Sequence, residues 1–324
     1  MINNRNNRQS SIELLRILCI YGIILMHTLG PLRNNMTFIN GEIDLFINSI
    51  CNSAVTIFII ISGYFGIKLK KEKMLKLWIM TVFYSLLGFI ITYVTTKDFS
   101  VKELIKCCIP IISNKYWFLT CYFVLCFLSG YINDMFEKFD RQTNKSLIIT
   151  LLVIFSIIPT IFQFELLQDN GKGIINMIVA YLIGRYIRKY NIEIKKDNII
   201  KIMVISVSIT FIIMSIITFI KHKVTLGYMF RDNSIFVIIT ATCIFMIFKS
   251  LNIENKKINY MSQYVFAAYI CEELVRKQIL GRIINLEYVA DKWYFYVIAI
   301  CYVVITFIIC MVIEKIRNII FNKL

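Results

Sequence analysis

Much of what a metal or redox protein carries is missing from this chain. It has two histidines, His27 and His222. The second sits in a basic Lys-His-Lys loop, so no histidine cluster is offered to a metal. The ten cysteines include no Cys-x-x-Cys pair. Most of them (Cys19, Cys51, Cys121, Cys126, Cys243, Cys301 and Cys310) lie inside apolar runs, where they behave as small hydrophobes. Adjacent Cys107 and Cys108 cannot readily bridge each other. These absences argue against a zinc or redox centre, and no bound metal or cofactor is expected. No sequence repeat returns at a fixed period, which disfavours solenoids and repeat-built carriers. A separate soluble domain, a low-complexity tail and strand-like alternation are lacking too. The first apolar run follows a polar leader with Arg5 and Arg8 but shows no small-x-small cleavage pattern, so a retained signal anchor is expected.

What fills the chain instead is hydrocarbon. Of 324 residues, 58% are hydrophobic, and the mean hydropathy is +0.70. Apolar runs of spanning or near-spanning length fall at about 12–30, 45–66, 77–95, 116–132, 147–164, 174–188, 202–220, 234–249, 260–275 and 293–313. At ~20 residues per span, only short loops are left between them. The fold expected is an all-α integral membrane protein, a polytopic bundle of about ten transmembrane helices forming one domain over residues 1–324. The net charge of +16 would suit nucleic acid, but its distribution is a topology signal. With the N-terminus inside, Arg5, Arg8, the cluster at 68–76, Lys138, Arg141, Lys145, the basic residues at 185–201, Lys249, Lys256, Lys257, Lys315, Arg317 and Lys323 all fall on the cytoplasmic side. The positive-inside rule then places both termini in the cytoplasm of a multi-pass cell-membrane protein. Lipid bilayer is an expected partner and nucleic acid is not. Residues 31–44 read as a polar outer loop, and 96–115 as an amphipathic outer segment lying on the membrane.

The first span, Ser11 to Gly30, carries three residues that hydrocarbon does not welcome: Glu13, Arg16 and His27. Such residues face a bundle interior or a wet cavity, although Arg16 near the start could also snorkel to the interface. Arg16 and His27 are eleven residues apart, roughly three turns and roughly 16 Å along one helix face. Glu13 is placed to pair with Arg16 across one turn. In the second span, Gly63 of Ser62-Gly63-Tyr64 permits close helix approach, while Ser62 can bond a carbonyl or a ligand. The following stretch, KLKKEKMLK, contacts anionic headgroups or, in an enzyme using a phosphorylated donor, the donor's phosphates through Lys70, Lys71 and Lys73. Tyr116-Trp117-Phe118-Leu119 opens the fourth span as an aromatic belt or, at Trp117, as a platform for sugar stacking.

Arg16 and His27, set in LLRILCIYGIILMH, resemble the first span of the acyltransferase-3 family of integral membrane acyltransferases. The Ser62-Gly63-Tyr64 triplet, Trp117-Phe118-Leu119 and the stretch Gly171–Tyr190 with Tyr181, Gly184 and Arg185 are similar to later family segments. The resemblance covers about Ser11 to Glu272 and implies an O-acyltransferase. It would move an acetyl or related short acyl group from acetyl-CoA or another acyl-CoA to a hydroxyl of a surface or capsular polysaccharide or its lipid-linked precursor. It carries over Arg16 and His27 as essential. The chemistry needs a base for the acceptor hydroxyl, the role given to His27, and Arg16 would hold a donor phosphate or brace the site through Glu13.

One departure stands out. Where relatives read Tyr-Leu-Ile-His, this chain reads Tyr269-Ile270-Cys271-Glu272. With the ninth span running outward, Glu272 should sit at the depth of His27. It would then pair with Arg276 one turn on as an anchor, or orient His27 as the acid of a triad does. The rival classes are a flippase or exporter of lipid-linked glycans, a polysaccharide polymerase and a structural membrane subunit. Too few spans disfavour the flippase, and outer stretches of only about 20 residues disfavour the polymerase.

Overall fold

Apolar runs without strand periodicity can satisfy their backbone hydrogen bonds in lipid only by closing them within the run. Among the described residues every regular element is accordingly helical. The structure is a computed structural model that describes residues 9–321. Arg5, Arg8 and Lys323, read above as marking the cytoplasmic side, lie outside the described residues. The helices are α1 (Ser10–Leu29), α2 (Phe38–Cys51), α3 (Ala54–Phe65), α4 (Lys71–Thr96), α5 (Val101–Cys108), α6 (Trp117–Lys138) and α7 (Arg141–Leu152). They continue with α8 (Ile158–Phe162), α9 (Ile174–Lys189), α10 (Lys196–Lys221), α11 (Ile235–Lys249), α12 (Lys256–Met261), α13 (Val265–Glu273) and α14 (Phe295–Phe321). Eight helical segments of the described chain are long and apolar enough to cross a membrane. The expected count of about ten is reached only by adding α9, with 16 residues, and the broken run from α12 through α13. This is an all-α, multi-pass membrane bundle.

At its centre stands α1, packed against α3, α11, α12, α13 and α14. Its Ile20, Ile24 and Leu29 are fully buried. Helices α4 and α10 lie outside, with only 22% of the most apolar window of each buried. Their Ile90, Val94, Ile205 and Ile212 face outward, as side chains bathed in lipid must.

The tightest contact joins α3 to α9, and it follows from two glycines. A Cβ on Gly63 would lie 2.1 Å from the Tyr181 carbonyl oxygen, and one on Gly184 would lie 2.2 Å from that of Ile60. Only hydrogen at both positions lets the backbones meet, as expected of Gly63. At the same end of the bundle Arg185 of α9 pairs with Glu137 of α6, and the Arg188 guanidinium lies 5.2 Å from the Tyr64 ring centre. Between α6 and α7, Asp140 caps the new helix by accepting from the Thr143 N–H at 2.8 Å. Bonds from the Thr143 side chain and backbone hold its carboxyl below the usual carboxylate range.

Three stretches differ from the sequence reading. Residues 31–44 are not a loop: a 3-10 turn, Gly30–Asn35, leads into α2, whose first turn is capped by the Thr37 hydroxyl. The polar residues that suggested a loop serve an internal network. Asp44 is fully buried, accepting from Arg33 Nε at 2.7 Å and from Asn48 Nδ2 at 2.9 Å. The span read as 45–66 breaks at Asn52–Ser53, between α2 and α3. The fifth span widens into a π-turn, Val153–Ile157, ahead of Pro159, whose ring lacks an N–H and clashes with the carbonyl four residues back. The 96–115 segment does contain a short amphipathic helix, α5, which buries Cys107.

Candidate active site

Helical periodicity puts Arg16 and His27 on one stripe of α1, roughly 16 Å apart along the axis. Arg16 Nη1 lies 3.5 Å from Glu13 Oε1, and its side chain keeps 34% of its surface open. Among the described residues it has no other ion pair. Beside it runs a cavity of about 270 Å³ whose walls include Arg16, Ser62, Leu77, Phe118, Tyr122 and Tyr269. A second cleft, of about 300 Å³, shares Arg16, Ser62, Leu77 and Tyr122 with the first. That cleft opens among Lys68, Lys70 and Lys73. Together they form one channel from the basic loop, past Arg16, into the bundle. Ser62 spends its hydroxyl on the Phe58 carbonyl at 2.9 Å, so it faces the channel chiefly with an acceptor oxygen.

The inner end of the channel reaches Ile23 and Tyr269, which are one helical turn short of His27 on α1 and of Glu272 on α13. These two residues meet. His27 Nδ1 is 2.8 Å from Glu272 Oε1. The other carboxylate oxygen, Oε2, accepts from Arg276 Nε at 3.1 Å. The two roles considered for Glu272 are therefore not alternatives in geometry, because each oxygen serves one partner. A buried carboxylate needs such partners, and the Glu272 side chain is only 5% exposed. Arg276 belongs to a π-turn, Leu274–Ile279, whose geometry is held from α14 by the Tyr302 hydroxyl, donating to the Arg276 carbonyl at 2.7 Å.

The consequence for His27 is chemical. A carboxylate accepts and does not donate, so Nδ1 must carry the proton, leaving the Nε2 lone pair free. The His27 side chain remains 48% exposed, so that lone pair is accessible. An exposed imidazole nitrogen, with its partner nitrogen held by a buried carboxylate, is the geometry that a general base and its orienter require.

Other expected residues are placed differently. Lys70 and Lys73 line the channel mouth, whereas Lys71 does not. Trp117 lies edge-on to Phe118, with ring centres 6.0 Å apart, and the Lys172 ammonium sits 5.7 Å from its ring centre. It therefore stands behind the channel wall and does not line the channel. Tyr122, Tyr269 and Gln263 border the cavity and were not singled out by sequence. Tyr269 had one available signal, its position one turn before Glu272. Among the described residues no group of three or more His, Cys, Asp or Glu side chains is placed to hold a metal.

Neither the curated proteins nor the solved structures contain a match to this chain. The family model of the acyltransferase domain does match, over residues 9–315, a range that takes in Arg16, His27, the channel between them and Glu272. The chain belongs to the acyltransferase-3 family and is a membrane acyltransferase.

Proposed function

We propose that the protein transfers an acetyl or related short acyl group from acyl-CoA to a hydroxyl of a surface or capsular polysaccharide, or of its lipid-linked precursor. The observation that carries this reading is the His27–Glu272 contact of 2.8 Å at the far end of a channel whose mouth is basic. Lys70 and Lys73, on the cytoplasmic side in this topology, receive the nucleotide phosphates of the donor. The pantetheine arm runs past Arg16, and the thioester arrives near His27. Nε2 takes the proton of the acceptor hydroxyl as its oxygen attacks the thioester carbonyl. The C–S bond then breaks, and the departing thiolate takes the proton back from the imidazolium. Glu272 stabilises that imidazolium without itself being protonated. Trp117 contributes to acceptor binding from behind the wall, and Glu13 braces Arg16.

The test uses membranes containing the full-length protein, incubated with labelled acetyl-CoA, followed by extraction of polysaccharide. Label should appear on polysaccharide with the wild type and be absent with His27→Ala at equal protein abundance. Equal labelling by both would remove His27 from catalysis. No label from any acyl-CoA, with the protein intact, would overturn the donor assignment.

A further inference from the structure

Beside the channel, a separate and more polar cavity of about 490 Å³ is walled by residues from distant parts of the chain. Its size falls within the roughly 300–1,000 Å³ of small-ligand sites. It reaches deep into the bundle. Asn52, at the break between α2 and α3, is one of its walls, and the preceding Cys51 packs against the middle of α1: a Cβ on Gly22 would lie 3.2 Å from the Cys51 Sγ. The irregular turn before α11 approaches the same place, with the Asn52 amide donating to the Phe230 carbonyl. Non-helical backbone at membrane depth is tolerated where it lines a cavity, and two interrupted spans meeting there mark a binding site.

The lining says what would bind. Asp232 is only 6% exposed and borders the cavity, and among the described residues its Oδ2 has no hydrogen-bond partner. A buried carboxylate oxygen left without a donor is costly, and a ligand hydroxyl would supply one. Asn52, Gln163 and Asn170 add amide donors and acceptors on other walls. Lys172 and Lys221 also line the cavity; among the described residues neither forms an ion pair, and the Lys172 ammonium lies 5.7 Å from the Trp117 ring centre. Arg231 is already committed, paired with Glu165 at 2.8 Å and stacked 3.7 Å from the Tyr228 ring centre. One carboxylate and three amides suit a polyhydroxylated ligand. The two ammonium groups outnumber the single lining carboxylate and set its sign, while Asp232 discourages a bare inorganic anion.

The cavity also adjoins the channel. Lys172 touches Trp117, Trp117 touches Phe118, and Phe118 lines the channel. On the other side, Val55 faces the channel three residues after Asn52 faces the cavity.

We infer that this cavity is the acceptor subsite and that it holds an anionic saccharide, with Asp232 and the amides reading hydroxyls and Lys172 and Lys221 reading a carboxylate or phosphate. This deepens the acyl-transfer reading and rests on it.

The experiment measures binding of labelled galacturonic acid oligomers to the purified full-length protein in detergent, with galactose oligomers as the neutral control. The wild type should bind the acidic oligomer tightly and the neutral one weakly. Lys172→Gln and Asp232→Asn should each weaken binding about tenfold, the loss of one charge-assisted contact. In transfer assays the same two variants should raise the acceptor KM similarly and leave the donor KM unchanged. Competition by glucose 1-phosphate, if stronger than by galacturonate, assigns the anion as phosphate; the reverse assigns carboxylate. Equal binding of acidic and neutral oligomers would overturn the inference. So would unchanged binding in Lys172→Gln, which keeps the test open should Asp232→Asn fail to fold. If acidic oligomers bind through Lys172 and Asp232 yet no acyl group is transferred, the reaction reading fails and the subsite stands. If transfer proceeds with the acceptor KM untouched in both variants, the subsite fails and the reaction stands.

Discussion

Glu272→Gln is the most informative single substitution in this protein, because the structure dictates how the amide must settle. Glu272 divides its oxygens, Oε1 toward His27 at 2.8 Å and Oε2 toward Arg276 at 3.1 Å. Glutamine has one oxygen and one NH₂ for these two places. Arg276 is a permanent donor and its side chain is 11% exposed, so the amide oxygen must turn to it. The NH₂ then faces His27 Nδ1, which can respond only by becoming an acceptor. The ring proton moves to Nε2, and the base is lost with the geometry intact. Making a triad's acid an amide costs roughly 10⁴-fold in turnover by this tautomer effect, so a fall of roughly 10³- to 10⁴-fold is expected here. In barrier terms that is about 4–5.5 kcal/mol at about 1.36 per factor of ten. The fold suffers less: a charge-assisted bond to Arg276 becomes a neutral one, worth about 1–3 kcal/mol. Arg276→Gln supplies the control, since it weakens the same anchor but leaves Glu272 on His27. It should show a similar loss of thermal stability with turnover within about tenfold of wild type. The assay is labelled acyl transfer by purified protein, with thermal unfolding measured on the same samples. Turnover by Glu272→Gln within tenfold of wild type, with the protein folded, would refute the tautomer argument and leave Glu272 as an anchor only.

His27→Ala should insert and accumulate normally, since His27 is half exposed, but lose transfer completely; abundance and polysaccharide acylation measured together check both. The double variant Lys70→Gln/Lys73→Gln should raise the donor KM and spare the acceptor KM, whereas Lys71→Gln should leave both near wild type, because only the first two line the channel mouth. Equal effects from all three lysines would return the cluster to a headgroup contact. Gly63→Ala and Gly184→Ala each force a Cβ to within about 2 Å of a facing backbone oxygen; both should accumulate poorly or unfold at markedly lower temperature, by overpacking costs of roughly 1–3 kcal/mol or more, as read by size exclusion in detergent.

The polar residues on α1 were legible because helical period turns sequence spacing into facing direction. Arg16, His27 and Glu13 declared themselves as ionisable groups in an apolar run, and Glu272 as a departure from the family pattern. The stretch 31–44 reads as a loop because Arg33, Asn40 and Asp44 look solvated in sequence. Their partners come from turns and helices whose juxtaposition only the tertiary fold supplies, as when Asn40 Nδ2 reaches the Ala290 carbonyl at 2.8 Å. The break at Asn52–Ser53 left no mark on hydropathy, since apolar residues continue on both sides of it. Asp232 escaped notice for the opposite reason: it stands two residues before a long apolar run and reads as loop, yet it is buried.

The glycine contact between α3 and α9 has a mechanical consequence. With backbones touching at Gly63 and Gly184, the two helices act as one doubled strut that can neither slide nor part without unpacking the bundle. One wall of the channel, carrying Phe58 and Ser62 of α3, is thereby immobile. The facing wall carries Lys73 and Leu77 of α4, a helix backed mostly by lipid. A swing of α4 would therefore widen the mouth of the channel while leaving its inner end, at Ile23 and Tyr269, unchanged.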